Sequence, residues 1–166
     1  EIYRCPSTAN GFEYRPLSNI LHNSWINCLL CSTNDKLYIG TYDGLGCLDI
    51  PTMDFVSTYE INRLLQGDVI YALYEDLHHS IWVGTSQGLK QLNPQTQKVR
   101  EYTISDGLPS NSISAIEGDA NGNLWISTNF GISRFNPGTQ TFVNFYASDG
   151  LQGNEFSKGV SFASTQ

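Results

Sequence analysis

Three histidines are the residues best suited to acid–base or metal chemistry in this chain. Proton transfer or metal binding by an imidazole needs further polar partners within reach. His78 and His79 are adjacent, and neighbouring side chains in a loop usually diverge. We therefore interpret the pair as solvent-facing residues of a turn. His22 precedes an apolar segment, and an inward-facing position with a role there remains open for it.

Asp119, Asn121 and Asn123 alternate around Gly122, a pattern faintly similar to a calcium-binding loop. An EF-hand also needs a distant bidentate Glu and flanking helices, and both are missing. We expect an Asn-Gly hairpin turn instead. The sequence contains no Gly-x-Ser-x-Gly, P-loop or dinucleotide fingerprint, and no acid pair can be assigned to glycoside hydrolysis. We predict no catalytic residue, no metal site and no cofactor.

Cys28 and Cys31 have CxxC spacing, without a second CxxC or a histidine pair. On an extended strand their side chains point to opposite faces, with Cα atoms roughly 10 Å apart. A disulfide cannot span that distance. We expect buried free thiols, so the cysteines do not identify the redox compartment.

The composition excludes several functional classes. The 166 residues are 40% hydrophobic and 15% charged, with a net charge of −7. The hydrophobic content excludes intrinsic disorder. The acidic balance argues against binding to nucleic acid or to an anionic membrane. We expect no membrane-spanning segment and no signal peptide within this stretch.

An internal repeat is the strongest signal in the sequence. The pentapeptide at residues 37–41 recurs at 81–85 and at 124–128, with offsets of 44 and then 43. Each copy is predicted to form four short strands separated by polar turns with Gly, Asn or Pro. Four strands in about 43 residues are typical of one β-propeller blade.

The sequence therefore predicts an all-β, partial β-propeller of four-stranded antiparallel blades. Three complete blades are expected, with parts of two others at the ends. The predicted segments are the outer strands of a preceding blade (1–16), three blades (25–60, 69–104 and 112–146) and the inner strand of a following blade (154–163). Because three blades do not close a ring, we expect a fragment of a larger propeller, or head-to-tail pairing between chains. The separate segment should self-associate through its terminal strands.

Tyr38, Trp82 and Trp125 occupy the same place in the second strand of each repeat. Sugar stacking is one interpretation of these aromatic residues. Packing between neighbouring blades is the interpretation we favour, because the same contact would recur at every blade. The small residue and the threonine that follow are expected to be structural as well.

Propeller geometry indicates where a ligand would bind. The loops that enter the inner strands and the turns between second and third strands share one face, and their residues differ between repeats. The candidate ligand-binding residues are Tyr42, Asp43, Gln87, Asn111, Asn129 and Phe130.

Residues 121–139 resemble the two-component regulator propeller repeat, and residues 81–89 do so too. The linkers 106–113 and 149–156 are similar to the segments between such repeats. The first repeat departs from the pattern, because Tyr38 replaces Trp and Asp49-Ile50-Pro51 replaces Asn-Pro.

The resemblance implies a periplasmic sensor region of a Bacteroides-type hybrid histidine kinase. It implies an oligosaccharide ligand and signalling through a dimeric receptor, with the kinase beyond this chain. The segment itself would not be an enzyme. Two alternatives stay open. One is a propeller enzyme similar to streptogramin lyase, which would need a histidine and a divalent metal. The other is a protein-interaction scaffold.

Overall fold

The structure is a computed structural model, and it describes residues 2–4, 13–15, 25–52, 54–56, 65, 67–159 and 161. Within these residues the chain forms four separate antiparallel sheets with two, three, four and four strands. In each sheet the strands follow chain order, so consecutive strands pair with each other. This is the arrangement predicted for consecutive propeller blades, and the all-β fold class is confirmed.

The first two sheets contain five short strands. They are β1 (Ile2–Arg4) and β2 (Glu13–Arg15), then β3 (Ile26–Cys31), β4 (Lys36–Thr41) and β5 (Gly44–Asp49). A single bridge between Leu48 and Phe55 adds the beginning of a fourth strand to the second sheet. We name the sheet β3–β5 blade 1.

The two four-stranded sheets follow. Blade 2 consists of β6 (Ile70–Glu75), β7 (Ile81–Thr85), β8 (Leu89–Asn93) and β9 (Lys98–Tyr102). Blade 3 consists of β10 (Ile113–Gly118), β11 (Leu124–Thr128), β12 (Gly131–Asn136) and β13 (Thr141–Phe145). Two short 3-10 helices, Ile104–Asp106 and Ala147–Asp149, follow the last strands of these blades.

The expected inner strand at 154–163 is not seen as a strand in its described part. Residues 154–159 have no strand assignment, and residues 160 and 162–166 lie outside the described residues. Two backbone hydrogen bonds anchor this segment to blade 3: Gly131 donates to Asn154 at 2.6 Å, and Gly159 donates to Ser114 at 2.9 Å. Lys158 places its Nζ 3.6 Å from the centre of the Tyr71 ring. The segment is therefore held by contacts with blades 2 and 3.

Each first strand contains one β-bulge at the same repeat position. The register shifts between Ile26 and Cys28, between Ile70 and Ala72, and between Ile113 and Ala115. The extra residues are Asn27, Tyr71 and Ser114. A bulge locally increases strand twist and leaves one residue outside the ladder. The Asn27 side chain donates to the carbonyl of Ile70 in the next blade at 2.9 Å, so this bulge joins two blades.

Adjacent blades pack closely against the glycine of the repeated pentapeptide. A Cβ atom at Gly40 would lie 2.7 Å from Cγ2 of Ile70, and one at Gly84 would lie 2.6 Å from Cγ2 of Ile113. Both isoleucines open the first strand of the following blade and are fully buried. Glycine is therefore required where the next blade packs against the second strand, as expected for a structural role.

The linkers between blades are folded by their own side chains. Asp106 accepts a hydrogen bond from the backbone N–H of Thr103 at 2.8 Å, and Asn111 accepts one from Ile104 at 2.9 Å. The next linker repeats both bonds, with Asp149 and Asn154 as acceptors. These bonds give both linkers the same local fold.

Candidate functional site

The turns between second and third strands are built in the same way in all three blades. In each turn a buried threonine donates its hydroxyl to the carbonyl three residues later. Thr41 donates to Gly44 at 2.9 Å, Thr85 to Gly88 at 3.0 Å, and Thr128 to Gly131 at 3.0 Å. The same hydroxyls accept the backbone N–H groups of Asp43, Gln87 and Phe130.

A second backbone contact fixes each turn against the start of its own blade. The N–H of Tyr42 donates to the carbonyl of Trp25 at 3.1 Å. The corresponding bonds in the other blades run from Ser86 to Val69 and from Asn129 to Ser112. The two central side chains of every turn are therefore held at one edge of the structure. We name this edge the turn face.

Most of the predicted ligand-binding residues are available on the turn face. Tyr42 is 55% exposed and Phe130 is 54% exposed. Asp43, Gln87 and Asn129 are exposed as well. Phe130 also packs against Tyr146, with ring centroids 5.7 Å apart.

Asn111 and Asn129 carry structural hydrogen bonds. The Oδ1 atom of Asn111 is the acceptor for Ile104 described above. Asn129 accepts a short hydrogen bond from the hydroxyl of Ser110. The side chain of Asn111 therefore positions the linker beside the turn face, and it has less freedom to contact a ligand than Tyr42 or Asp43.

Trp25 was missed by the sequence reasoning, although it is the most exposed aromatic residue on this face at 80%. Its carbonyl bonds to Tyr42, so two exposed aromatic residues are adjacent in blade 1. The signal in the sequence was a tryptophan directly before a first strand, where the other repeats have Val69 and Ser112.

The aromatic residues of the second strands pack between blades where a following blade exists, as expected. Tyr38 is 3% exposed in a cluster with Ile70 and Ile81 of blade 2. Trp82 is fully buried against blade 3, with the Phe135 ring 5.6 Å away in an edge-on contact. Trp125, which no further blade covers within the part of the chain that the structure describes, is 37% exposed.

The two tryptophans of the second strands, Trp82 and Trp125, are also held by a carboxylate that precedes each by six residues. Nε1 of Trp82 donates to Asp76 at 2.7 Å, and Nε1 of Trp125 donates to Asp119 at 3.1 Å. Where blade 1 has Tyr38 instead of Trp, the corresponding position is Ser32. The repeats with a tryptophan thus have an aspartate six residues before it, and the repeat without the tryptophan lacks the aspartate too. The sequence prediction did not use this relation.

The calcium-loop interpretation is not favoured by the geometry. Asp119 accepts backbone N–H groups from Asn121 and Asn123, both at 2.9 Å, and also the Trp125 indole. Burial alone would raise the pKa of Asp119, but these donors lower it below its ordinary value. Within the described residues no group of three or more His, Cys, Asp or Glu could hold a metal ion.

His78 and His79 lie in the turn between β6 and β7, and both are exposed. The Nδ1 atom of His79 lies 3.0 Å from Oε1 of Glu75 and 2.9 Å from the hydroxyl of Thr33 in blade 1. Glu75 also accepts the Thr33 N–H at 2.7 Å. We name Thr33, Glu75 and His79 the polar clamp, because it joins the first turns of blades 1 and 2. His22 lies outside the described residues.

The described cysteines are free thiols, as predicted, but they are not all buried. Cys47 is buried, Cys28 is half-buried and Cys31 is exposed. Burial raises the pKa of the Cys28 thiol to about 12 and that of the Cys47 thiol to about 11. Cys31 is the last residue of β3, beside the turn that leads to β4. Cys5 lies outside the described residues.

The described part of the chain contains no helix that is long and apolar enough to cross a membrane. The fold and the turn face together define a segment of a β-propeller with a repeated, side-chain-built turn at one edge. Residues 107–130 match the family described as two component regulator propeller. The resemblance inferred from the repeats is therefore confirmed. No curated protein matches the chain.

Similar solved structures share the propeller fold. A protein of B. thetaiotaomicron, described as the extracellular domain of a hybrid two component system, has 23% identity and a TM-score of 0.75 over 92% of this chain and 21% of its own. The extracellular domain of a system from the same organism, described as one component, has 22% identity and a TM-score of 0.62. It is matched over 75% of this chain and 18% of its own.

Virginiamycin B lyase from Staphylococcus aureus has 16% identity and a TM-score of 0.57, over 74% of this chain and 41% of its own. The chain thus spans about one fifth of the length of the two extracellular domains and 41% of the lyase. At these identities the likeness establishes the fold.

Proposed function

We propose that this chain is a ligand-sensing segment of the extracytoplasmic, periplasmic propeller of a hybrid two-component sensor histidine kinase. The observation that carries the proposal is the turn face. Three identically built turns present side chains that differ from blade to blade: Tyr42 with Asp43, Ser86 with Gln87, and Asn129 with Phe130. A rigid frame with variable exposed residues is suited to recognition.

The ligand we propose is an oligosaccharide. Trp25 and Tyr42 are exposed and adjacent, so they offer an aromatic surface to the apolar face of a sugar ring. Asp43, Gln87 and Asn129 supply carboxylate and amide groups for hydroxyl groups. Ligand binding would then favour one of two arrangements of a dimeric receptor, because only a difference in affinity shifts such an equilibrium.

A catalytic role of the lyase type is less well supported. That role would require a histidine at an inner strand. Of the histidines in the described residues, His78 and His79 lie in the turn between β6 and β7, where His79 contacts Glu75. We propose that the segment is not an enzyme and that the kinase lies elsewhere in the parent chain. Sequencing the reading frame on both sides tests this. A membrane helix and a kinase are expected, whereas a frame ending after one closed ring would contradict the proposal.

The binding proposal is tested by titrating a panel of oligosaccharides into the 166-residue chain by calorimetry. Tyr42→Ala is expected to weaken binding about tenfold, which corresponds to about 1.4 kcal/mol. Gln95→Ala serves as the matched control, because Gln95 is exposed in the turn between β8 and β9. Binding that is equally strong in both variants would exclude the turn face as the site.

A further inference from the structure

A cavity of about 560 Å³ lies between the first turns of blades 2 and 3. We name it the inter-blade groove. Its wall in blade 2 includes Tyr74, Asp76 and Leu77, and its wall in blade 3 includes Gly118 and Gly122. Its volume is within the range of pockets that hold small molecules. The groove and the turn face are different parts of the surface, because no turn-face residue lines the groove.

The internal repeat explains why this groove is open. At the junction of blades 1 and 2 the same place is filled by the polar clamp. By the repeat offset, Glu75 corresponds to Gly118, and His79 corresponds to Gly122. His79 and Gly122 even share a left-handed backbone, with φ of 61° and 77°. Two side chains that close one junction are thus absent from the other.

The absence of these side chains leaves an apolar residue uncovered. Leu77 takes the place that Thr33 occupies in the polar clamp, and it is 76% exposed. The Tyr74 ring forms an adjacent part of the wall. A Cβ atom at Gly118 would lie 1.9 Å from the Tyr74 hydroxyl, so the glycine is what admits this aromatic side chain. The groove therefore offers an aliphatic and an aromatic surface side by side.

The polar lining selects the charge of the ligand. Neutral groups predominate, including Gln91, Asn123 and Asn136, and no Lys or Arg lines the groove. Asp76 already accepts the N–H groups of His78, Ser80 and Trp82, so it offers little to a cation. Asp119 is occupied in the same way, as described above. The exposed imidazole of His78 also lines the groove, but the carboxylates of Asp76 and Asp119 would repel an anion.

The Tyr74 hydroxyl remains protonated over the neutral pH range. Burial, followed by the charges of Glu117, Asp76 and Asp119, raises its pKa above the ordinary value. The groove thus combines a phenol, several amides and an apolar surface in one small volume. We propose that the inter-blade groove is a second binding site, which takes a neutral, hydroxyl-rich ring compound such as a pyranose unit. This goes beyond the proposed function, because it assigns a site outside the turn face and selects against acidic sugars.

Nuclear magnetic resonance of the 18.5 kDa chain tests the site directly. Maltose, cellobiose, lactose and mannobiose are each added at millimolar concentration to the ¹⁵N-labelled chain, and digalacturonic acid is added as the charged counterpart. At least one neutral disaccharide is expected to shift the signals of the groove, including the side-chain amide of Asn123. Digalacturonic acid is expected to leave them unchanged.

Gly122→His is the decisive variant, because it introduces the residue that closes the other junction. A Cβ at Gly122 meets nothing within 4 Å, so the histidine enters without a steric clash at that atom, on a left-handed backbone that His79 also adopts. It is expected to weaken disaccharide binding at least about tenfold. Gly150→His is the matched control: Gly150 is also left-handed and also free of neighbours, but it lies outside the groove. Leu77→Asp is a second groove variant, and it adds no residue at a strained backbone position.

Four outcomes would overturn the proposal. Three of them are no shift with any neutral disaccharide, equal shifts with digalacturonic acid, and binding that both groove variants leave intact; the fourth concerns Tyr42→Ala. Tyr42→Ala separates this site from the turn face. Groove shifts that persist in Tyr42→Ala locate binding in the groove even if the turn face binds nothing, whereas loss of all shifts in that variant assigns binding to the turn face and overturns the groove.

Discussion

Replacement of Gly84 by alanine tests the packing between blades 2 and 3. The added Cβ would lie 2.6 Å from Cγ2 of Ile113, 3.1 Å from its Cβ, and 3.2 Å from the Cβ of Ala72. None of these atoms is the end of a flexible side chain, and Ile113 is fully buried. Blade 3 must therefore move away from blade 2 to accept the methyl group.

Two opposing contributions determine how Gly84→Ala changes the free energy of unfolding. Removing a glycine from a strand interior should by itself stabilise the fold by roughly 0.5–1 kcal/mol. Overpacking of a well-packed core costs about 1–3 kcal/mol. Because the contacts lie well inside van der Waals distance, we expect a net loss of about 1–2 kcal/mol. For a chain of this length each kcal/mol corresponds to a decrease in Tm of about 2–4 °C.

Urea denaturation of the purified chain measures the effect, with Ser127→Ala as the matched control. Ser127 occupies the same repeat position in blade 3, and its buried hydroxyl has no hydrogen-bond partner. The control keeps the Cβ, so it should leave the free energy of unfolding unchanged or raise it. A neutral or stabilising Gly84→Ala would refute the proposed blade contact.

A double-mutant cycle with Ile113→Ala adds a second check. Ile113→Ala alone should cost about 2–5 kcal/mol, because it leaves a cavity. In the double variant the methyl group at position 84 no longer clashes with the isoleucine side chain. The loss of unfolding free energy in the double variant should therefore be smaller than the sum of the losses in the two single variants. Strict additivity would show that Gly84 and Ile113 do not interact.

Three further outcomes are expected. Thr85→Val should destabilise the chain by about 1–2 kcal/mol in urea denaturation, because a buried hydroxyl that makes two hydrogen bonds is lost; an unchanged unfolding midpoint would contradict this. Burial alone would raise the pKa of Glu75, but hydrogen bonds with Thr33 and His79 lower it below the ordinary value. The ionised carboxylate therefore stabilises the folded chain above the unfolded pKa of a glutamate, and this stabilisation is lost as the pH falls through the folded pKa. In thermal unfolding between pH 7 and acidic pH, Glu75→Gln should reduce the pH dependence, and an identical pH profile would argue against the polar clamp. Trp125→Asp should reduce self-association in light scattering, because it removes an apolar residue from the uncovered side of blade 3; a monomeric wild-type chain at high concentration would contradict the expected association.

Propeller blades were predictable because the signal is repeated. The pentapeptide ending in Thr41, Thr85 and Thr128 recurs at a nearly constant offset, and the turns between copies have their own residue preferences. The second strands β7 and β11 begin and end where expected. Such features depend on neighbours close in sequence, and local pattern is sufficient to specify them.

For the last segment of the chain, the repeat predicted a strand that the described residues do not form. Constant offset predicted a strand from residue 154, yet residues 154–159 contact β10 and Tyr71 without forming one. At the position where two blades have Gly40 and Gly84, blade 3 has Ser127. By the same offset, Phe156 stands where the blades have Ile70 and Ile113. The contacts of this segment are made with other blades, so the pattern within one repeat does not predict them.

What the sequence determined alone was the set of strands, their order and the turns that join them, since each arises from residues within one repeat. Tertiary structure decided which equivalent positions differ in exposure. Trp82 is buried and Trp125 is partly exposed, although both follow an aspartate by six residues. The inter-blade groove likewise arises only when Gly118 and Gly122 of one repeat face Leu77 of another. Contacts between repeats are set by packing in space, which the pattern within a repeat does not contain.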